Sequence, residues 1–438
     1  MQITTHSRRH SDDLRRRLAG ACWSSTLRAF QPFLHEAPMH RVLFAFLLLL
    51  SPLAVADQPV LLGVDVLQRD GFVPLVGKRV GLITNHTGLD SAGRTTIDVL
   101  NEADGVELVR MFGPEHGIRG ELDQSQIDDG LDGPTGIPVV SLYGPRRKPD
   151  PKHLEGIDAM VFDIQDIGCR FYTYPATMKL AMRAAADAGI AFVVLDRPNP
   201  IDGVTLEGPM LDAGEESFVG FHTVPLRHGL TIGELAKLFK REGDEQGPIE
   251  VELVIVPCEG WRRSMTWDQT GLVWTDPSPN MRRLSQALLY PGLGIMETTN
   301  VSVGRGTDTP FEVFGAPWVK PVELAAALNE ANTPGVRFVP RYFTPESSKF
   351  AGERCGGVDV ILTDAAKLGA TDVGMAIAAT LRKLYPDDWD TKSYNRLLIN
   401  KQVHDAVNAG ASVEELQALA REGVEAYRQR REAVLMYK

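Results

Sequence analysis

Cysteine is scarce in this sequence. Only four of the 438 residues are cysteines, and none has the spacing of a metal site or of a disulfide framework. Cys169, Cys258 and Cys355 lie far apart along the chain, so we expect them to be buried free thiols. We therefore expect no bound metal.

Glycine-rich phosphate loops are also missing. No G-x-G-x-x-G follows the first expected strand, and no G-x-x-x-x-G-K-[ST] occurs anywhere, so the usual backbone cradles for phosphates are absent. We expect no nucleotide or other cofactor, and the pattern disfavours a redox enzyme. The chain also lacks a G-x-S-x-G elbow, which argues against a serine esterase of the α/β-hydrolase type.

Positive charge and long apolar runs are likewise in short supply. The formal net charge of −11 disfavours nucleic acid as a partner. Residues 39–56 contain about 13 apolar residues, whereas a transmembrane helix needs about 20. Met39-His40-Arg41, the apolar run Val42 to Leu50 and Ala54-Val55-Ala56 instead have the layout of a secretory signal peptide. We expect an exported protein, periplasmic or secreted, with no membrane anchor after cleavage.

The first 38 residues are rich in Arg and His and show no pattern. Because signal peptides normally start at the N-terminus, we interpret residues 1–38 as a non-native upstream extension and Met39 as the true start.

Short β-branched runs alternate with helical patterns between Arg79 and Asp196, as in βαβ units with a largely parallel sheet. The sequence thus predicts an α/β fold with a Rossmann-like domain over residues 57–318. The expected elements are strands at Arg79–Thr84, Glu107–Phe112, Pro138–Leu142, Ala159–Asp163 and Ala191–Leu195, and helices at Thr95–Glu102 and Tyr174–Ala188.

The pattern changes after Pro225. A capping box predicts a helix from Thr231 to Arg241, and a strand at Val251–Val256 follows. Trp261 to Gly315 is predicted to be a loop-rich binding segment. Residues 319–438 are predicted to form a smaller α+β domain, which ends in helices at 412–422 and 426–436.

Polar residues stop several of the expected strands. Glu115 and His116 follow the second strand on a Gly-Pro turn, and Asn85 follows the first. Ligands of open α/β sheets bind at the carboxyl ends of the strands, so Glu115 is our first candidate for a general acid. The alternative is a turn that only packs its loop onto the sheet.

Asp163, Gln165 and Asp166 lie at the end of another buried strand. Neighbouring carboxylates can divide acid and base roles between them. Two alternatives stay open: an Asp166–Arg170 ion pair that caps the following helix, and a metal site, although the spacing of nearby ligands fits no zinc pattern.

Further candidates can bind a polar substrate. Arg197 or Arg305 can pair with a carboxylate. Asn280, Glu297 and Asn300 carry groups that bind sugar hydroxyls. Trp274 can stack on a sugar, but we favour a place in the core.

Taken together, the motifs of this chain resemble the NamZ-type exo-β-N-acetylmuramidases. The resemblance covers Leu62 to Lys438, and only Cys169 stands where a small apolar residue is expected. The matching motifs are Asn85-His86-Thr87-Gly88, Gly113-Pro114-Glu115-His116-Gly117-Ile118-Arg119-Gly120, Asp163-Ile164-Gln165-Asp166-Ile167-Gly168, Arg170-Phe171-Tyr172-Thr173-Tyr174, Asp196-Arg197-Pro198-Asn199-Pro200, Pro277-Ser278-Pro279-Asn280-Met281 and Gly304-Arg305-Gly306-Thr307.

The resemblance implies a glycoside hydrolase that removes terminal β-1,4-linked N-acetylmuramic acid (MurNAc) from the non-reducing ends of peptidoglycan fragments, with its site in a cleft between two domains. Glu115 inherits the role of acid. Asp163 or Asp166 would support water or the oxocarbenium-like charge, and Tyr172 would position the sugar. Arg170, Arg197 or Arg305 would pair with the lactyl carboxylate. A non-catalytic muropeptide-binding protein is the alternative.

Overall fold

In the computed structural model, which describes residues 60–119 and 128–438, a seven-stranded sheet lies at the centre. The predicted extension and signal peptide lie outside the described residues. None of the described helices is long and apolar enough to span a membrane. The strands of this sheet are β1 (Lys78–Thr84), β2 (Val106–Gly113), β3 (Gly130–Leu131), β4 (Pro138–Ser141), β5 (Ala159–Asp163), β6 (Ala191–Leu195) and β9 (Leu253–Val256).

The strand order is β3-β4-β2-β1-β5-β6-β9. All neighbours are parallel except the short edge pair of β3 and β4. With β3 set aside, β2 and β4 lie in turn on one side of β1, and β5, β6 and β9 lie in turn on its other side. This is the strand order of a Rossmann fold. The predicted α/β fold is confirmed, and the crevice expected for ligands lies beyond the carboxyl ends of these strands.

Alternate residues of the central strands enter two different apolar cores. Val161 and Val193 belong to one core, whereas Phe162, Phe192 and Val194 belong to the other, and all five are fully buried. Because side chains of a strand alternate between its faces, a sheet covered on both sides needs such continuous apolar runs. This is why the predicted strands match the observed ones closely.

Helices lie between and after the strands of this sheet in the chain. Thr231 caps its helix with the predicted capping box. The helices are α1 (Gly63–Arg69), α2 (Thr96–Asn101), α3 (Pro151–Leu154), α4 (Tyr174–Ala188), α5 (Ile232–Glu242), α6 (Leu284–Leu293), α7 (Pro321–Glu330), α8 (Ala370–Leu384), α9 (Asn395–Leu398), α10 (Lys401–Ala409), α11 (Val413–Arg421) and α12 (Val424–Arg431).

The C-terminal part contains a smaller antiparallel sheet, in agreement with the α+β structure predicted for it. Its strands are β10 (Val313–Ala316), β11 (Val336–Phe343) and β12 (Cys355–Leu362), in the order β10-β12-β11. A two-stranded pair, β7 (Glu207–Met210) and β8 (Pro225–Arg227), lies between β6 and β9 in sequence. Cys169, Cys258 and Cys355 are buried free thiols, as expected.

The sequence analysis missed one helix. The stretch from Trp261 to Gly315, which was predicted to be rich in loops, also contains helix α6 and a 3₁₀ turn at Gly294–Thr298. Pro291 and Gly292 mask the helical pattern in the sequence. Gly292 is required by packing: a Cβ there would lie 1.9 Å from the Ala370 carbonyl oxygen at the start of α8. Tertiary contact therefore decides this helix where local propensity does not.

Candidate active site

An open cleft of about 1280 Å³ lies beyond the carboxyl ends of the parallel strands. The turn after β2, the segment after β4 and the residues between β5 and α4 contribute Glu115, Tyr143 and Tyr172 to it. The segments at 278–281, 297–305 and 393–405 also line it. The cleft exceeds the roughly 300–1,000 Å³ typical of small-molecule pockets, so it has room for an extended ligand.

Glu115 lies on the sharp turn that ends β2. His116 and Gly117 both have left-handed backbone angles, with φ of 69° and 72°, and the Gly117 amide donates to the Pro114 carbonyl at 2.9 Å. A histidine in this conformation is uncommon, and such backbone outliers cluster at functional sites. The turn places the Glu115 and His116 side chains in the lining of the cleft, as predicted.

Two hydroxyl groups hold the Glu115 carboxyl. The Tyr143 hydroxyl donates to Oε1 at 2.6 Å, and the Thr173 hydroxyl donates to Oε2. Because a hydroxyl can both donate and accept, the same contacts also hold a protonated Glu115, which would donate to one of them. Glu115 is thus fixed in the cleft in either protonation state, as a general acid requires.

Aromatic side chains form the floor next to this carboxyl. Tyr172 packs edge-on against Tyr174 and Tyr290, with ring centroids 5.0 and 6.1 Å apart. Burial raises the pKa of Tyr172 well above its usual value. Its hydroxyl therefore keeps its proton, and Tyr172, which lines the cleft as predicted, is available as a donor.

A charged pair also lies in the cleft. The guanidinium of Arg305 forms an ion pair with Glu297, and Thr298, the next residue in the sequence after Glu297, also lines the cleft. Lys349 supports this segment by donating to the backbone carbonyls of Glu297 and Thr299. Arg305 and Glu297 were both predicted from the sequence, but their pairing was not.

Other cleft residues were missed by the sequence analysis. Tyr143 was missed because it follows a short strand without a recognised motif. Arg147 lies over the Phe218 ring at 4.5 Å in a cation–π contact. Arg396 and Lys401 come from the C-terminal helical segments, where only the fold reveals their proximity to the cleft.

Asp163 and Arg197 bind each other and do not line the cleft. Arg197 Nε and Nη2 donate to the two Asp163 oxygens at 2.5 and 2.8 Å, and Thr96 also donates to this carboxylate. Asp163 is fully buried. The structure therefore does not support Asp163 as a catalytic group or Arg197 as the ligand of a substrate carboxylate. Because β5 and β6 are neighbours, their polar ends satisfy each other.

Asp166 and Arg170 are also buried outside the cleft, and they do not form the alternative ion pair. Asp166 Oδ2 accepts from the Gly168 amide at 2.8 Å, and His228 Nε2 lies 3.6 Å from it. Arg170 instead donates to four backbone carbonyls, of Pro209, Val224, Leu397 and Leu398. Neither Asp166, which was predicted to be catalytic, nor Arg170, which was predicted to bind the substrate, lines the cleft.

Four amide side chains were predicted to bind the substrate, and one of them, Asn280, lines the cleft. Asn85 is buried and accepts from the Thr87 amide and hydroxyl, and Asn300 bridges the Asp388 carbonyl and the Asp390 amide. Gln165 lies in a separate cavity. Of these four amide side chains, only Asn280 is placed to contact a ligand in the cleft.

Trp274 belongs to the packing of the protein, as favoured from the sequence. It is partly buried against the larger core, stacks edge-on with Trp267 and donates to the Met281 carbonyl at 3.2 Å. Within residues 60–119 and 128–438, no group of three His, Cys, Asp or Glu side chains is placed to hold a metal ion.

Comparison with known proteins finds two family models that together match most of the chain. Residues 80–285 match the N-terminal part, and residues 288–437 the C-terminal part, of the exo-β-N-acetylmuramidase NamZ. The chain is 42% identical to the peptidoglycan β-N-acetylmuramidase NamZ of Bacillus subtilis (strain 168) over 379 residues, which is 86% of this chain and 91% of that protein.

Two crystal structures of DUF1343 family proteins from Bacteroides fragilis NCTC 9343 are similar to this structure. The first superposes with a TM-score of 0.81 at 38% sequence identity, and the second with 0.72 at 30%. Each alignment covers 87% of this chain and 99% of the other.

Proposed function

This chain belongs to the NamZ family of exo-β-N-acetylmuramidases, and we propose that it is a glycoside hydrolase that removes terminal non-reducing MurNAc from peptidoglycan fragments, with Glu115 as the acid. The observation that carries this proposal is the Glu115 carboxyl, held by Tyr143 and Thr173 inside a cleft large enough for a saccharide chain. The smallest substrate with the required bond is the disaccharide MurNAc-GlcNAc.

Cleavage of a glycosidic bond needs a proton for the leaving oxygen while positive charge develops on the sugar ring. Protonated Glu115 supplies this proton. Tyr143 and Thr173 keep the carboxyl from rotating, and their hydroxyls can donate to the carboxylate that remains after transfer. This reduces the reorganisation that the reaction requires.

We propose Glu297 as the second carboxylate, in place of the predicted Asp163 and Asp166. Glu297 lines the cleft, where it forms an ion pair with Arg305. Tyr290 and Tyr172, which pack edge-on against each other, line the same cleft as Glu297 and Glu115. Glu297 would stabilise the oxocarbenium-like charge or activate water.

We propose Arg305 as the partner of the lactyl carboxylate that distinguishes MurNAc from GlcNAc. Of the three arginines predicted for this role, Arg305 lines the cleft, whereas Arg170 and Arg197 are committed elsewhere. A guanidinium carries five N–H donors in a planar fork, which suits bidentate pairing with a carboxylate.

Export remains a proposal from the N-terminal sequence alone. Met39 to Ala56 has the layout of a signal peptide, and cleavage after Ala56 would release the protein to the periplasm or the medium. N-terminal sequencing of the protein recovered outside the cytoplasm tests this. A mature protein that begins at Asp57 is expected, and a protein found only in the cytoplasm with an intact N-terminus would contradict it.

The experiment that tests the function is incubation of the chain with MurNAc-GlcNAc, with free MurNAc and GlcNAc measured by chromatography. We expect equal amounts of both sugars. A substrate in which GlcNAc replaces the MurNAc should react far more slowly, because it lacks the lactyl carboxylate. Binding of the disaccharide without release of either sugar would favour the binding protein instead.

A further inference from the structure

Arg147 is an exposed arginine at the wall of the cleft. Its guanidinium carbon lies 4.5 Å from the centre of the Phe218 ring. Phe218 also lines the cleft and is partly buried against the larger core, so its position is fixed by packing. The cation–π contact therefore holds the charge of Arg147 at the cleft wall, where a ligand can reach it.

The side chain of Arg147 forms no hydrogen bond and no ion pair with any residue that the structure describes. Other cations of the cleft differ in this respect. Arg305 is paired with Glu297, and Lys401 is paired with Asp405. An arginine is always charged and presents five N–H donors, and this chain carries a net charge of −11. An unpaired arginine in the cleft is therefore suited to an anionic group of a ligand.

The sheet order places Arg147 on one side of Glu115. Glu115 follows β2, and Arg147 follows β4, which is the neighbour of β2 toward the β3 edge. Phe171 follows β5, which lies on the other side of β2, beyond β1. The acid thus lies between the ends of β4 and β5.

The Glu297–Arg305 pair lies on the β5 side. Glu297 belongs to the 3₁₀ turn Gly294–Thr298, and a Cβ on Gly294 would lie 2.7 Å from Phe171 Cε2. Tyr290, in the helix that leads into this turn, has its ring centre 4.9 Å from that of Phe171. The turn therefore packs directly on the residues that follow β5, and it brings Arg305 with it through the ion pair.

Tyr143 connects the β4 side to the acid. Its hydroxyl donates to Glu115, and its ring centre lies 6.4 Å from that of Phe218. Because Glu115 would protonate the oxygen between MurNAc and the leaving part of the substrate, groups on its two sides contact the two sides of that bond. With the terminal MurNAc on the β5 side, the leaving part lies on the β4 side.

We propose that Arg147 is a specificity-determining residue that binds a carboxylate on the leaving part of the substrate. This inference rests on the proposed function. The GlcNAc next to the bond is neutral, and the rings of Tyr143 and Phe218 would lie alongside it. In a glycan in which MurNAc and GlcNAc alternate, the next carboxylate is the lactyl group of an internal MurNAc or, where a peptide is attached to that group, a carboxylate of the peptide. The cleft of about 1280 Å³ has room for such an extended fragment.

Two tetrasaccharides of equal length test the proposal. One is MurNAc-GlcNAc-MurNAc-GlcNAc, and in the other GlcNAc replaces the internal MurNAc, so that its leaving part is neutral. Arg147→Gln should raise KM for the first about five- to tenfold with kcat within about twofold, because a remote contact binds the ground state and the transition state alike. KM for the neutral tetrasaccharide should change by less than about twofold.

Lys148→Gln is the matched control. Lys148 is the next residue, it is also exposed, and it does not line the cleft, so KM should stay unchanged for both substrates. Arg147→Lys keeps the charge without the planar fork and should recover part of the lost binding. A third tetrasaccharide carries, on its internal lactyl group, a dipeptide with a free carboxylate. A rise in KM for this substrate assigns the peptide carboxylate as a partner, and a rise only for the unsubstituted one assigns the lactyl carboxylate.

An unchanged KM of Arg147→Gln for both carboxylate-bearing tetrasaccharides would overturn the proposal, as would an equal rise for the neutral one. Arg396 is another exposed cleft arginine whose side chain is unpaired among the described residues. A rise in KM with Arg396→Gln and none with Arg147→Gln would also overturn it.

Failure of the proposed function has a different signature. The unmodified protein would then release no MurNAc from any of these substrates. Dissociation constants measured by calorimetry still test Arg147 in that case. Tighter binding of the carboxylate-bearing tetrasaccharide than of the neutral one, lost in Arg147→Gln, supports its role, and equal binding of the two by the unmodified protein contradicts it.

Discussion

The Tyr143 hydroxyl donates a 2.6 Å hydrogen bond to Glu115 Oε1, which joins the segment after β4 to the turn after β2 across two neighbouring strands. Thr173 holds the other carboxyl oxygen from the segment before α4. Three strand ends therefore fix one carboxyl group, which the sequence shows only as an isolated glutamate on a turn.

Tyr143→Phe should lower kcat by about 10- to 100-fold and leave KM nearly unchanged. The variant removes one hydrogen bond to a charged group, worth about 1.5–3 kcal/mol, and each 1.4 kcal/mol is tenfold in rate. Steady-state kinetics on MurNAc-GlcNAc measure this, with the exposed Tyr342→Phe as control. A Tyr143→Phe enzyme with full kcat would show that the contact is not used in the reaction.

Glu297→Gln should reduce kcat by about 100-fold or more, because loss of a positioned carboxylate in glycoside hydrolysis typically removes 10²–10⁴-fold. The replacement keeps the size of the side chain. Glu330→Gln, at the exposed end of α7, is the control and should behave as the unmodified protein. Unchanged turnover in Glu297→Gln would exclude it as the second carboxylate.

Asp163→Asn should destabilise the protein by about 3–5 kcal/mol, since it leaves Arg197 buried without its partner. Urea denaturation measures the free energy of unfolding. Arg197→Met should have a similar effect, and the double variant should lose less than the sum of the two. A large loss of kcat in Asp163→Asn without loss of stability would restore the catalytic role predicted from the sequence.

Stability should depend on pH through Asp196. Burial, the largest cause, raises the pKa of this carboxyl from 3.8 to about 6, although Tyr437, Gly233 and Thr231 all donate to it. The folded state then binds the proton more tightly than the unfolded state. The contribution of Asp196 to stability is complete below about pH 4 and is lost as the pH rises through about 6, by at most about 3 kcal/mol.

Comparison with Asp196→Asn isolates this contribution. The free energy of unfolding is measured in urea between about pH 4 and pH 7, and the difference between the unmodified protein and the variant is taken at each pH. The stability of the unmodified protein relative to the variant should be greatest at pH 4 and should decrease with rising pH. A difference that is constant over this range would refute the titration.

The fold was predictable where its causes are local. Strands such as Ala159–Asp163 and Ala191–Leu195 are continuous apolar runs bounded by polar residues, and burial on both faces of the sheet demands that pattern. Helix α6 was missed because its cause is not local: Gly292 permits close contact with α8, which is distant in sequence.

The candidate site was predictable only in part. The cleft is lined by six of the candidate residues: Glu115, His116, Tyr172, Asn280, Glu297 and Arg305. Asp163, Asp166, Arg170 and Arg197 do not line it. Asp163 and Arg197 pair across neighbouring strand ends, whereas Arg170 binds backbone carbonyls and Asp166 accepts from the Gly168 amide. The sequence places polar residues near one edge of the sheet but does not show whether each binds the protein or a ligand.

The central claim is that Glu115 donates the proton that breaks the MurNAc glycosidic bond. The direct test is the rate of MurNAc release from MurNAc-GlcNAc by Glu115→Gln, with disaccharide binding measured by calorimetry. Glu107→Gln, an exposed residue at the start of the same strand, is the control. We predict that Glu115→Gln loses at least about 100-fold in kcat and still binds the disaccharide, whereas the control is unaffected. Near-normal release of MurNAc by Glu115→Gln would contradict the account.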